Sequence, residues 1–145
     1  MNSYPTKIAP NFIVPDVVAT AKYYCDVLGF TSARYDGHPP VFALVEWGDV
    51  PIMFKSYPGI NVALSNQKVH EDVGWDAYLW VTDARRACEE IRVRGGHITR
   101  EIEETYYGCR EFEIEDLNGL LLCFCEELSP EVSPTSMSDE APHYI

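Results

Sequence analysis

Positive charge is scarce in this 145-residue chain. Eleven Lys and Arg stand against 23 Asp and Glu, a formal net charge of -12. That balance argues against nucleic acid as a partner, because phosphate backbones need positive neutralisation. Long apolar runs are missing too. The longest, such as Leu120 to Cys125, fall far short of the roughly 20 residues of a membrane-spanning helix, so no membrane partner is expected. The opening MNSYPTKIAP has no apolar stretch of the kind a secretory signal carries. Cysteine is limited to positions 25, 88, 109, 123 and 125. An odd count without a framework spacing reads as reduced thiols, and with it a cytoplasmic location is expected. The histidines, at 38, 70, 97 and 143, sit in no HxxxH-like pattern and near no second ligand.

What is present is a chain of about one domain's length with 46% apolar residues, enough to bury a core. Its densest pattern is Tyr106 to Glu127. An alternating strand (Cys109 to Glu115) runs into the turn Asp116-Leu117-Asn118-Gly119, and a mostly apolar strand (Leu120 to Cys125) follows. Asn118-Gly119 tolerates the positive φ of a tight hairpin.

The rest of the chain should cover one face of that hairpin. Ile8 to Val14 reads as a strand, with Pro10 confining it to an edge. Asp16 is positioned to cap a helix over 17–28, apolar at 17, 21, 24, 25 and 28, which Gly29 ends. Strands are expected over 30–35, 41–47 and 50–55. A polar linker over 56–72 follows, whose Val62-Ala63-Leu64 suggests a helical turn or a lid. Trp75 to Val81 is again a strand, Asp83 caps a helix to about Val93, and Ile98 to Tyr106 is a further strand. The Ser-, Pro- and acid-rich stretch 129–145 reads as a flexible tail.

The two halves repeat with a period of 67 residues. Val14 matches Val81, Asp16 matches Asp83, Ala21 matches Cys88 and Gly29 matches Gly96. Each copy reads β-α-β-β-β, a sheet with a helix on one face and the other face bare. Bare apolar faces are unfavourable, so the two modules are expected to pair around a shared trough. The fold class is therefore α+β: paired βαβββ modules (8–55 and 73–128) in a single domain over 1–128.

Two segments carry a family resemblance. Tyr23-Tyr24-Cys25-Asp26-Val27-Leu28-Gly29-Phe30 resembles the FYxxxLGF signature of the vicinal oxygen chelate (glyoxalase/bleomycin resistance/dioxygenase) superfamily. Tyr107-Gly108-Cys109-Arg110-Glu111-Phe112, with Asp116-Leu117-Asn118-Gly119, resembles its YGxREFxxxDPDGN signature, except that Leu117 stands for Pro and Leu120 for Asn. The resemblance implies metal-ligand positions at Ala9, roughly Met53, Asp76 and Cys123. Ala9 and Met53 cannot serve a hard metal, so no metal and no cofactor are expected. The metal-free, bleomycin-resistance-like subgroup is the best match. It implies a homodimer with ligand crevices at the subunit interface and, at Pro10, a hinge for exchange of the first strand.

Strand alternation sorts the trough residues. Asn11 faces it from the first strand. Asp76, Tyr78 and Trp80 face it from the fifth, Glu111 and Glu113 from the seventh, and Cys123 from the last. Phe42, Trp47 and Tyr107 complete an aromatic, acidic lining suited to planar or cationic ligands. Trp47 and Trp80 fit a core equally well, and Glu111 and Glu113 fit a solvated outer face. The leading function is metal-independent sequestration of an antibiotic-like small molecule in a dimer. The alternatives are a glyoxalase-fold lyase, isomerase or dioxygenase acting through Asp76, Glu111 or Cys123, and a regulatory dimer with a vestigial trough.

Overall fold

The structure is a computed structural model that describes residues 2–72 and 74–129. The tail expected over 129–145 lies, apart from Ser129, outside the described residues. The chain divides into two compact units. Among the described residues, the first holds 2–65 with 117–120, the second 66–72, 74–116 and 121–129.

The first unit is built as β1 (Asn11–Ile13), α1 (Val17–Tyr23), β2 (Ser32–Gly37), β3 (Pro40–Trp47) and β4 (Val50–Lys55). Its sheet order is β1-β4-β3-β2, with β1 parallel to β4 and the other pairs antiparallel. β1 is shorter than the strand expected over 8–14, and Ile8 is exposed. Its pairing still reaches beyond the three residues, because Pro10 accepts from Met53 N and Val14 N donates to Lys55 O, each at 2.9 Å.

Asp16 caps α1, its carboxylate accepting from Ala19 N at 2.9 Å. The helix does not stay α-helical to Leu28. Tyr24–Leu28 forms one π turn, which Gly29 ends at φ 100°. Tyr24 and Leu28 point inward and are fully buried, and Tyr24 packs edge-on against Phe54 at 4.8 Å. Val14, Val17, Ala21, Ala43, Val45 and Ile52 complete this core. Asn118, in the short stretch that joins this unit from far along the chain, donates from its amide to Thr20 Oγ1 at 3.0 Å.

The second unit repeats the plan. A short helix α2 (Asn66–Val69) precedes β5 (Ala77–Trp80), α3 (Ala84–Val93), β6 (His97–Glu104), β7 (Cys109–Glu115) and β8 (Leu121–Glu127). The sheet order β5-β8-β7-β6, with β5 parallel to β8, has the same topology as the first. Each module is thus βαβββ, and the fold is α+β with two four-stranded mixed sheets. The helical turn considered for 62–64 forms instead at Asn66–Val69. Ala63 is buried there and Leu64 is exposed.

Asp83 caps α3 as Asp16 caps α1, accepting from Arg86 N at 3.0 Å. Ala84, Ala87, Cys88 and Ile91 form its buried stripe. The sheet meets that stripe with Leu79, Phe112, Ile114, Leu122 and Phe124, and the rings of Phe112 and Phe124 stack at 5.0 Å. Among the described residues no helix is long and apolar enough to cross a membrane.

Candidate functional site

The face of the second sheet turned away from α3 carries the polar chemistry. Register places Tyr78 beside Cys123 and Trp80 beside Cys125, with Glu111 opposite Cys125 and Glu113 opposite Cys123. Because successive side chains alternate, these six share one face while Ala77, Leu79, Phe112, Ile114, Leu122 and Phe124 share the other.

Glu111 is the centre of this face and is only 1% exposed. Its Oε1 accepts from the Tyr107 hydroxyl at 2.6 Å and from Arg100 Nη2 at 3.0 Å. Its Oε2 accepts from the Tyr78 hydroxyl at 2.6 Å. A buried carboxylate loses its hydration, and these three donors replace it. Glu113 is held in a second layer. Its Oε2 accepts from Trp75 Nε1 at 2.8 Å, and its Oε1 accepts from Thr99 Oγ1 at 3.2 Å. Arg100 pairs with Glu111, Glu113 and Glu103, so one guanidinium meets three carboxylates and the cluster keeps a negative excess.

The neighbouring acids are held neutral. Burial, then contacts with Cys125 and Glu111, push the Tyr78 phenol up, so it stays a donor. Burial, with Glu111 adding to it, raises the Cys123 thiol, although Arg100 Nη2 lies 3.7 Å from its sulfur. Burial likewise pushes Cys125 up to about 12. Neutral buried thiols are poor nucleophiles.

Beside this polar cluster runs a row of rings. Trp75 and Tyr78 lie 4.9 Å apart, as do Tyr78 and Trp80. Trp80 ends the row and is 62% exposed. With Val81, Thr82, Glu126 and Glu127 it lines an open surface groove of about 470 Å³. Trp80 is therefore not a core residue, and Glu111 is not a solvated one.

The other sequence-derived residues fall elsewhere. Asp76 works as a backbone clamp: Oδ1 accepts from Asn66 N at 2.7 Å and Oδ2 from Leu121 N at 2.8 Å. Asn11, Phe42 and Trp47 belong to the first unit. Asn11 is exposed on β1, and Phe42 is half-buried. Trp47 packs its ring on Phe30 at 5.7 Å and, by alternation, shares the strand side of the buried Ala43 and Val45. Sequence reasoning missed Arg100 and Trp75. Arg100 had a visible signal, as the one Lys or Arg in HITREIEE, an isolated cation among acids.

The superfamily's metal positions can be tested against these contacts. Ala9 has no donor atom and Met53 offers only a thioether. Asp76 has both oxygens engaged by amides, and Cys123 is a neutral thiol beside a guanidinium. This set does not fit a hard divalent ion.

Residues 8–124 match the family model for the Glyoxalase/Bleomycin resistance protein/Dioxygenase superfamily. The chain belongs to that superfamily, also called vicinal oxygen chelate. No curated protein matches the chain. Among solved structures it is similar to a glyoxalase-related enzyme from Clostridium phytofermentans, at TM-score 0.70 and 14% identity, covering 87% of this chain and 98% of that one. It is similar to the bleomycin-binding protein of Streptomyces verticillus complexed with copper(II)-bleomycin, at TM-score 0.60 and 22% identity, covering 89% and 99%. It is also similar to the bleomycin resistance determinant encoded on the transposon Tn5, at TM-score 0.65 and 19% identity, covering 85% and 98%. At these identities the likeness establishes the fold.

Proposed function

We propose that this chain captures a cationic, planar, antibiotic-like small molecule on the Trp80 side of the second sheet, holding it by stacking and charge without bond chemistry. The observation that carries the reading is the row Trp75–Tyr78–Trp80 beside a carboxylate cluster with negative excess. The exposed indole supplies a stacking and cation-binding surface. The unbalanced carboxylates, with Glu127 at the groove, draw in positive charge. A bleomycin-binding protein and a bleomycin resistance determinant of the same fold support this choice of ligand class. A second copy of the chain would close the open side of the face, as a homodimer.

The catalytic alternative needs a free base or thiolate. Asp76 is committed to two amides, Glu111 to three donors, and Cys123 is a neutral buried thiol. That commitment favours binding over turnover.

The test is titration calorimetry of the purified chain with bleomycin and with a neutral planar aromatic of similar size. Saturable binding of bleomycin, weakened at least tenfold by Trp80→Ala and by high salt, is expected. Binding that is indifferent to Trp80→Ala and to salt, or no heat with either ligand, would overturn the proposal.

A further inference from the structure

We propose that Cys109, Glu111 and Cys125 form a binding site for one thiophilic d10 metal ion of the zinc or cadmium type. The site is distinct from the superfamily's hard-metal positions and stands independently of small-molecule capture.

The argument begins with register. Glu111 sits directly opposite Cys125, and Cys109 lies two residues before Glu111 on β7, so all three side chains emerge on one face. One ligand atom from each lies within 4.8 Å of the other two. Ligands of a tetrahedral zinc ion at bond lengths of about 2.0–2.3 Å sit roughly 3.3–3.8 Å apart, so a contraction of at most ~1.5 Å closes the set. Small side-chain rotations supply that.

The donors suit a soft or borderline ion. Two sulfurs and one carboxylate oxygen match zinc, cadmium or copper(I), and poorly match magnesium or calcium, which prefer oxygen. Glu111 retains capacity for the bond. An ionised carboxylate has about four acceptor positions. Three are taken here, and Oε2 carries only the Tyr78 bond. Arg100, 3.0 Å from Oε1, would offset the charge of a site with two thiolates, and it fixes the ligating carboxylate from behind. All three residues are buried, and Cys109, at 8% exposure against 1% for Glu111 and 0% for Cys125, is the least covered.

The chemistry balances as an exchange of protons for metal. Two S–H bonds break, two S–metal bonds form, and two protons leave to buffer. No oxidant or reductant is involved.

The test uses cadmium(II) on the full, reduced chain. We expect one ion per chain, a thiolate-to-cadmium charge-transfer absorbance in the ultraviolet, and release of about two protons per ion in weak buffer. Cys109→Ser and Cys125→Ser should each weaken binding at least tenfold, while Cys123→Ser, Cys88→Ser and Cys25→Ser should not. Glu111→Gln should weaken it while keeping the absorbance band. Circular dichroism verifies that each variant folds. The proton count and a cadmium-dependent rise in melting temperature are read on the natural chain, so they hold even if a variant fails to fold. Absence of the thiolate band in the folded natural chain, binding without proton release, or loss of binding in Cys123→Ser with retention in Cys109→Ser would each overturn the proposal.

Discussion

Removing the carboxylate at Glu111 is the sharpest probe of the second unit. Glu111→Ala leaves the Tyr78 and Tyr107 hydroxyls without their 2.6 Å acceptor on a largely buried face. Each lost hydrogen bond to the charged carboxylate costs about 1.5–3 kcal/mol. Arg100 is affected less, because it keeps Glu103 and Glu113 and its side chain is 27% exposed. The expected loss is therefore about 3–5 kcal/mol, in the range seen when one partner of a buried charge network is deleted. For a chain of this length that lowers the melting temperature by about 10 °C. Glu111→Gln keeps the volume and one acceptor oxygen but loses the charge, and should cost about 1–3 kcal/mol. Urea unfolding reads both values, with the slope m checked against the natural chain. A double-mutant cycle with Tyr107→Phe isolates the phenol–carboxylate bond, and a coupling of about 0.5–3 kcal/mol is expected. A loss below about 1 kcal/mol in Glu111→Ala at unchanged m, or additive single mutants, would refute the claim that Glu111 organises the face.

Asp76→Ala removes the acceptor of the Asn66 and Leu121 amides, and should cost about 1–3 kcal/mol with faster amide exchange at Leu121, read by hydrogen exchange. Gly37 sits at φ +100°, where an added Cβ would meet Pro39 O at 3.0 Å and Val41 Cγ2 at 3.1 Å. Gly37→Ala should therefore destabilise by about 1–3 kcal/mol, measured as the denaturation midpoint. Burial is the main cause that raises the Cys88 thiol, with Arg92 pulling the other way. The folded state then favours the neutral thiol: its contribution is present below the unfolded thiol value of about 8.5 and is lost as pH rises through the folded value. Alkylation of Cys88 in the folded chain should be slower than in the unfolded chain at pH 8, and Arg92→Ala should slow it further.

Local signals in the chain carry far. Asp16 and Asp83 are N-caps in fact as in expectation, because a side-chain carboxylate before an apolar stripe acts within four residues. Alternation assigns the faces of β5, β7 and β8, since period two survives whatever packs on the sheet. Non-local closure escapes such reading. Glu111 and Glu113 look alike in sequence and both collect donors, yet those from β5, β6 and the approach to β7 close over Glu111 to 1% exposure while Glu113 keeps 19%. Asp76 resembles a ligand by position, but its oxygens are spent on amides 10 residues before it and 45 after it. The π turn at Tyr24–Leu28 is hidden because its apolar spacing fits an α-helix nearly as well.

The stretch 117–120 groups with the first unit although it joins two strands of the second, so the polypeptide passes from one unit to the other three times. No single cut can therefore yield both halves intact. A fragment ending at residue 65 lacks the four residues that finish its own unit, including the Asn118 amide that Thr20 accepts from. A fragment beginning at residue 66 carries those four residues without the helix they belong to. The two copies of the 67-residue repeat share one topology, but they are not separable pieces of chain. Swapping or deleting one module through recombination would have to transplant a distant tetrapeptide with it.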